Sequence, residues 1–184
     1  MTEPVRRVVT GVDDTGRSVV LHDGPAPRSH DFVHVPGMRT TLLWATDAGA
    51  GAGVDPTPTL LHDLPDAGGT RFLTVSFPPE TVYTDPAFDP ARAAEETRAV
   101  SPDLAARFEP DHPGMHATET VDYQIVLKGP IHLELDDGVV ALSTGDVVVA
   151  CGNRHAWRNL GDTPAMLGVV MVGRPPDPRP RSTP

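Results

Sequence analysis

The chain has 184 residues and a formal net charge of −10; that is room for one domain with a real hydrophobic core, and the acidic balance without a lysine or arginine stripe argues against nucleic acid or an anionic membrane surface as partner. Aromatic residues make up only 5 %, while 17 Gly and 21 Pro supply frequent turns, a balance that favours many short strands over a helical bundle. The single cysteine, Cys151, excludes an intrachain disulfide and a cysteine-rich zinc site, so any metal has to be held by imidazole and carboxylate.

The opening MTEPVRRVVTGVDD lacks the apolar block of a secretory signal, and no apolar run approaches the roughly 20 residues that span a bilayer. A soluble cytoplasmic protein is expected. Val5 to Val9 and Arg17 to His22 read as strands joined by a hairpin turn at Asp13, Asp14 and Gly16. Phe32 to Val35 and Arg39 to Ala45 continue the β pattern, and DAGAGAGVDPTP from Asp47 is a loop. Thr70 to Phe77 alternates as a half-buried strand, which Pro78 and Pro79 end. Pro90 to Phe108 then has helical composition, with Asp89 placed to cap it and Ser101–Pro102 placed to split it. From Met115 onward the pattern returns to sheet: Val121 to Leu127, Ile131 to Leu135, Val139 to Leu142, Val147 to Ala150, Ala156 to Arg158 and Ala165 to Val172.

The block MHATETVDYQIVLKGP, followed after a hairpin by GDVVVACGNRHAWRN, resembles the two ordered motifs of the cupin superfamily. Position by position, His116 matches the first histidine of motif one, Asp122 falls where the family has glutamate, and Gly129 matches the closing glycine. Gly145, His155 and Asn159 match motif two. Thr118 stands at the second histidine position, Pro110 where a leading glycine is expected, and motif two is one residue short, with Cys151 where proline would be. The resemblance covers about residues 70 to 173. It implies an all-β fold, the double-stranded β-helix or jelly-roll barrel, with a short helical insertion at about 88–108. The chain then divides into an N-terminal β extension over 1–69 that packs on the barrel or on a dimer partner, the barrel over 70–173, and a disordered proline-rich tail over 174–184.

Strand alternation puts residues two apart on one face: His116 with Thr118, Asp122 with Gln124 and Val126, and His155 with Trp157 and Asn159. In a closed barrel all three sets point inward. His116, Asp122 and His155 then form a two-histidine, one-carboxylate set for a divalent transition metal (iron, zinc, manganese or nickel). Gln124, Thr118 and Trp157 are left to orient a small-molecule substrate. Plainer readings stand beside these: an interior histidine is often only hydrogen-bonded, Asp122 can fix a turn, Gln124 can be a core hydrogen-bonder, and Trp157 can be core packing. Tyr123 faces outward by alternation, which suits packing or an interface. Tyr83, Arg39 and Arg71 are further candidates for the pocket rim. The insertion has to cover an end or a face of the barrel, as a lid or as a structural cover.

The expected function is a metal-dependent enzyme acting on a small oxygenated organic molecule by dehydration, isomerisation, cyclisation or decarboxylation, and the resemblance suggests secondary metabolism. An iron(II) dioxygenase and a non-catalytic binding barrel are the alternatives. A homodimer is expected, because the N-terminal strands exceed what one small barrel needs.

Overall fold

The computed structural model describes residues 4–49 and 55–176, so most of the tail expected over 174–184, and the centre of the loop after Asp47, lie outside the described residues. Eleven strands and two α-helices are described: β1 (Arg6–Val12), β2 (Ser18–Pro25), β3 (Arg28–Asp31), β4 (Arg39–Thr46), β5 (Thr70–Phe77), α1 (Pro90–Val100), α2 (Pro102–Ala105), β6 (Thr120–Lys128), β7 (Ile131–Leu135), β8 (Gly138–Leu142), β9 (Val147–Ala150), β10 (Ala156–Arg158) and β11 (Ala165–Gly173).

Two sheets build the barrel, a six-stranded one ordered β3-β4-β5-β11-β6-β9 and a three-stranded one ordered β10-β7-β8. Every strand pair is antiparallel, the arrangement of a jelly-roll, double-stranded β-helix. Between the sheets lies one apolar cluster built on Val126, Ile131, Leu133, Leu142, Leu167, Val169 and Met171, the inward positions of alternating strands. The segment 1–69 divides. β3 and β4 are integral strands of the main sheet, with β4 paired along β5, and only the β1–β2 hairpin stands apart as its own two-stranded sheet. Its turn is built by Asp13, whose Oδ1 accepts the backbone N–H groups of Thr15 at 2.9 Å and Arg17 at 3.0 Å, with Gly16 at φ +80° where a side chain would be strained.

The strand expected over Phe32 to Val35 is not formed. The strand lies earlier, at Arg28–Asp31, and residues 32–35 turn so that Phe32 and Val35 are both buried against Ala93 of α1. So short an apolar stretch has no period of its own, and the helix that buries it decides its conformation. The insertion follows its sequence signals closely: the Asp89 side chain accepts from the N–H groups of Ala91 and Arg92, and Ser101 separates the two helices. Glu96 on α1 accepts from the backbone N–H groups of Val33 and His34 and from His30, each at 2.8 Å. Asp63 and Asp103 cap each other's backbone, Asp63 taking the N–H groups of Asp103 and Leu104 at the start of α2 while Asp103 takes that of Asp63. Both helices are thus fastened to the segments 30–34 and 62–64 by carboxylates. No described helix is long and apolar enough to cross a membrane.

Candidate metal centre

His116 and His155 come together through the backbone. Each donates its N–H to the other's carbonyl, at 3.0 and 2.9 Å, in a single antiparallel bridge. A hydrogen-bonded antiparallel pair sends both side chains to one side of the sheet, and the two imidazole centroids lie 4.6 Å apart. Their Nδ1 atoms are fixed alike. His116 Nδ1 lies 2.9 Å from the carbonyl oxygen of Gly114, and His155 Nδ1 lies 3.0 Å from that of Asn153. A carbonyl only accepts, so Nδ1 carries the proton in each ring and Nε2 keeps its lone pair, the tautomer and the outer support that a metal-binding histidine needs.

Next to them runs the inner face of β6. Thr118, Thr120, Asp122, Gln124 and Val126 are all buried, with Asp122 at 4 % exposure and Gln124 at 3 %. The hydroxyls of Thr118 and Thr120 lie 2.6 Å apart, and Thr120 also bonds the Asp122 carboxylate. Asp122 Oδ1 and Gln124 Oε1 are buried without a hydrogen-bond partner. A buried oxygen left orphaned forgoes a stabilising bond, and two of them side by side on the strand facing a histidine pair mark a place where a ligand is expected. Among the described residues no three His, Cys, Asp or Glu side chains converge as a ready metal cage. What the structure brings together is the histidine pair; Asp122 and Gln124 stand on β6, where Asp122 feels the charge of His155.

Burial, and then the charge of His155, push His116 down to about 4, so it is neutral and able to ligate well below neutral pH. Burial also raises the Asp122 carboxyl, against the hydrogen bond from Thr120 and the charge of His155 that favour its ionised form.

Residues 106–172 match the cupin domain model. Over those residues the chain carries a cupin domain. This cupin is 44 % identical over 64 residues to "Phomopsin biosynthesis cluster protein D" of Diaporthe leptostromiformis, covering 33 % of the chain and 34 % of the relative. It is 40 % identical over 62 residues to "Oryzines biosynthesis cluster protein J" of Aspergillus oryzae, covering 31 % and 35 %. The match therefore spans about a third of the length of each relative. Solved structures that resemble it include a Cupin 2 conserved barrel domain protein from Salinispora arenicola (TM-score 0.39, 16 % identity, 73 % of this chain and 75 % of that one). Another is an RmlC-like cupin with a double-stranded β-helix fold from Methanocaldococcus jannaschii (TM-score 0.38, 13 % identity, 62 % and 80 %).

Within this cupin the remaining sequence-derived candidates fall in different places. Trp157 lies beside the site, its ring 6.4 Å from that of His155 and 6.4 Å from that of Phe77. Asn159 is structural: its amide donates to the carbonyls of Phe77 and Thr163 and its Oδ1 accepts from Gly161. Arg71 is no rim residue. It is 2 % exposed and donates to the carbonyls of Thr46, His62, Leu64 and Thr70, clamping the 62–64 segment. Arg39 pairs with Asp31. Tyr83 packs edge-on against Phe88.

Two features escaped sequence reasoning. Phe108, just beyond α2, sets its ring 5.1 Å from that of His116 at an interplanar angle of 70°. Arg154, next to His155, forks onto Glu109 at 2.6 and 2.7 Å and also binds Asp136, while His112 and Arg158 both bind Glu134. This network fastens the approach to His116 onto β7 and β10. No local motif announces either feature, because both depend on where the insertion returns to the barrel. A cleft of about 450 Å³ lies between α2 and the 62–66 segment and is lined by residues such as Leu64, Asp103 and Ala106, not by His116 or His155.

Proposed function

We propose that this cupin is a metal-dependent enzyme that converts a small oxygenated organic molecule by dehydration, isomerisation, cyclisation or decarboxylation. The observation that carries the reading is the histidine pair with both Nε2 lone pairs available and two orphaned buried oxygens on the adjacent strand. His116, His155 and Asp122 would hold a divalent transition metal, with Gln124 Oε1 as a further donor or as the acceptor for a bound water. When bound, such a metal supplies Lewis-acid polarisation of a substrate oxygen. Trp157 and the buried walls around it exclude water and orient the substrate, and the Thr118–Thr120 hydroxyl pair holds Asp122 in place through the Thr120 bond. The printed names of the curated relatives belong to biosynthesis clusters, which supports a place in secondary metabolism. The exposed thiol of Cys151 suits a reducing cytoplasm.

Elemental analysis of protein purified without added metal tests the reading. A stoichiometric transition metal, lost in His155→Ala, is the expected result. Iron together with substrate-dependent oxygen uptake would select a dioxygenase instead. Less than about a tenth of an equivalent of any metal, with no uptake on titration, would leave a non-catalytic binding barrel, since a functional site of this kind binds well below micromolar concentrations.

A homodimer is part of the same proposal. On the outer face of the main sheet, cross-strand pairing lines up Phe72, Val170, Tyr123 and Val149 in one row and Ile125 with Val147 in the next. Of these, Tyr123 is 51 % exposed and Val147 62 %. A contiguous row of exposed apolar side chains of this kind is what an interaction surface presents. The hairpin adds exposed Val8, Val12, Val20 and Leu21, on a two-stranded sheet of a kind marginal by itself.

A further inference from the structure

The helical insertion is lightly packed and held by polar contacts. Among the described residues α1 buries only Ala93 and α2 buries none, and a segment with so few buried apolar contacts opens more readily than the strands around it. Three of the chain's eight histidines stand where it meets the rest of the molecule, each against a carboxylate. His30 Nε2 on β3 lies 2.8 Å from Glu96 Oε1 on α1. His62 Nδ1 lies 3.3 Å from Asp103 Oδ2 on α2. His112 Nε2, on the return toward β6, lies 2.8 Å from Glu134 Oε1 on β7. Against the burial that opposes it, the bonds from His34, Val33 and His30 hold the Glu96 carboxyl below its ordinary range. Those from Asp63 and His62 do the same for Asp103, and those from Arg158 and His112 for Glu134, each again against burial. All three carboxylates are therefore ionised wherever an imidazole changes charge.

We propose that the insertion is an acid-tightened strap: three histidine–carboxylate clasps, His30–Glu96, His62–Asp103 and His112–Glu134, hold it over His116 and loosen together as the imidazoles lose their charge. Protonated, each imidazole makes a charge-assisted bond; neutral, it makes an ordinary one. Closure is therefore favoured on the acid side of imidazole titration and loses that support as pH rises through it. Neighbouring charges act on the clasps to different degrees. Asp31, itself paired with Arg39, adds a second carboxylate beside His30. Near His62, Asp66 and Arg107 line the adjoining cleft with opposite charges, and Asp63, its carboxyl raised by burial, stands behind Asp103. Glu109 faces His112, but Arg154 Nη2 lies 3.5 Å from its Nδ1 and Arg158 shares Glu134, so the smallest contribution is expected there. What the strap covers is set by Phe108, which follows α2 and lies 5.1 Å, ring to ring, from His116. Lifting that ring frees the buried His116 to take a proton, which favours opening in acid. The contribution of the clasps is therefore read at fixed pH, against variants that leave His116 in place. Such a strap acts whatever the histidine pair binds.

Amide hydrogen exchange on the full chain tests this, comparing the wild type with a triple variant, His30→Gln with His62→Asn and His112→Gln. These substitutions keep a neutral N–H at each bonding position. At about pH 5.5 the triple variant is expected to lose about tenfold in protection over residues 90–115, roughly two- to threefold for each exposed pair. At about pH 8 it stays within about twofold of the wild type. High salt narrows the difference in acid, and the amides of β11 keep their protection in both proteins. His30→Gln alone lowers protection in acid over the whole of 90–115, because the strap opens as one body. Equal protection of wild type and triple variant in acid overturns the inference. The same loss at both pH values also overturns it, since the histidines would then act only as neutral hydrogen-bond partners. So does a loss in His30→Gln confined to α1, since clasps that open separately do not lift Phe108 from His116.

Discussion

The two faces of β6 reverse the usual arrangement of a half-buried strand. Inward lie Thr120, Asp122 and Gln124, all below 5 % exposure, and outward lie Tyr123, Ile125 and Leu127, all above 45 %. A strand selected only for stability would put its apolar set inside. Each face therefore carries a cost to the isolated protomer, a buried carboxylate with an orphaned oxygen inside and an apolar sheet surface outside. Such local departures from consistency are expected where a sequence is selected for function. The inner face is the one the proposed metal centre would use, and the outer face the one the proposed second copy would cover.

Perturbing each face separately sharpens the contrast. The largest effect is expected inside: His155→Ala should lower metal affinity by more than the roughly 10- to 100-fold that loss of a mere outer partner costs, read by metal titration, with oligomeric mass unchanged. Outside, Tyr123→Glu with Ile125→Glu should weaken dimerisation by about 100-fold or more, because symmetric contact brings like charges together, read by sedimentation equilibrium; metal content should stay as in the wild type. If the double variant instead loses metal, the two faces are not independent and the comparison fails.

A smaller effect distinguishes stability from function within the inner face. Asp122→Asn removes a buried charge that burial already disfavours, so the metal-free protein should gain about 1 kcal/mol in chemical unfolding while its metal affinity drops. A loss of stability would mean that the carboxylate is a structural hydrogen-bonder. The smallest effect is the pH dependence. His116 is held at about 4 against an ordinary 6.5, so between those values the unfolded chain binds more protons than the folded one. Its contribution is present above pH 6.5 and is lost as pH falls toward about 4. The raised carboxyl of Asp122 acts in the opposite sense, stabilising while protonated and losing that contribution as pH rises through its folded value. In His116→Gln the metal-free protein should therefore lose less of its thermal stability between pH 7 and pH 4.5 than the wild type does, the difference isolating the His116 contribution.

Sequence alone determined the features that local physics writes into neighbouring residues. Alternation in TVDYQIVLK and AMLGVVMVG fixes which side chains share a face, since a strand has a period of two. Asp89–Pro90 and Ser101–Pro102 fix where the helices begin, since each proline presets the first turn and each break follows from the backbone. The choice of His116 and His155 among the eight histidines rested on the resemblance to the cupin motifs. Even so, the strand expected over Phe32 to Val35 does not form, because a short apolar pair has no period of its own until α1 is there to bury it.

Tertiary structure decided everything that joins distant segments. Only the antiparallel bridge shows that the two histidines sit side by side with their Nδ1 atoms turned to carbonyls. Only the return of the insertion brings Phe108 onto His116. Only closure of the sheets shows that Asp122 and Gln124 are left with oxygens unpaired, while Arg71, expected at a rim, is turned inward to clamp a loop. The division has a physical reason: secondary structure answers to interactions between near neighbours, whereas a site is made of side chains whose meeting is set by strand pairing and chain reversal far along the sequence.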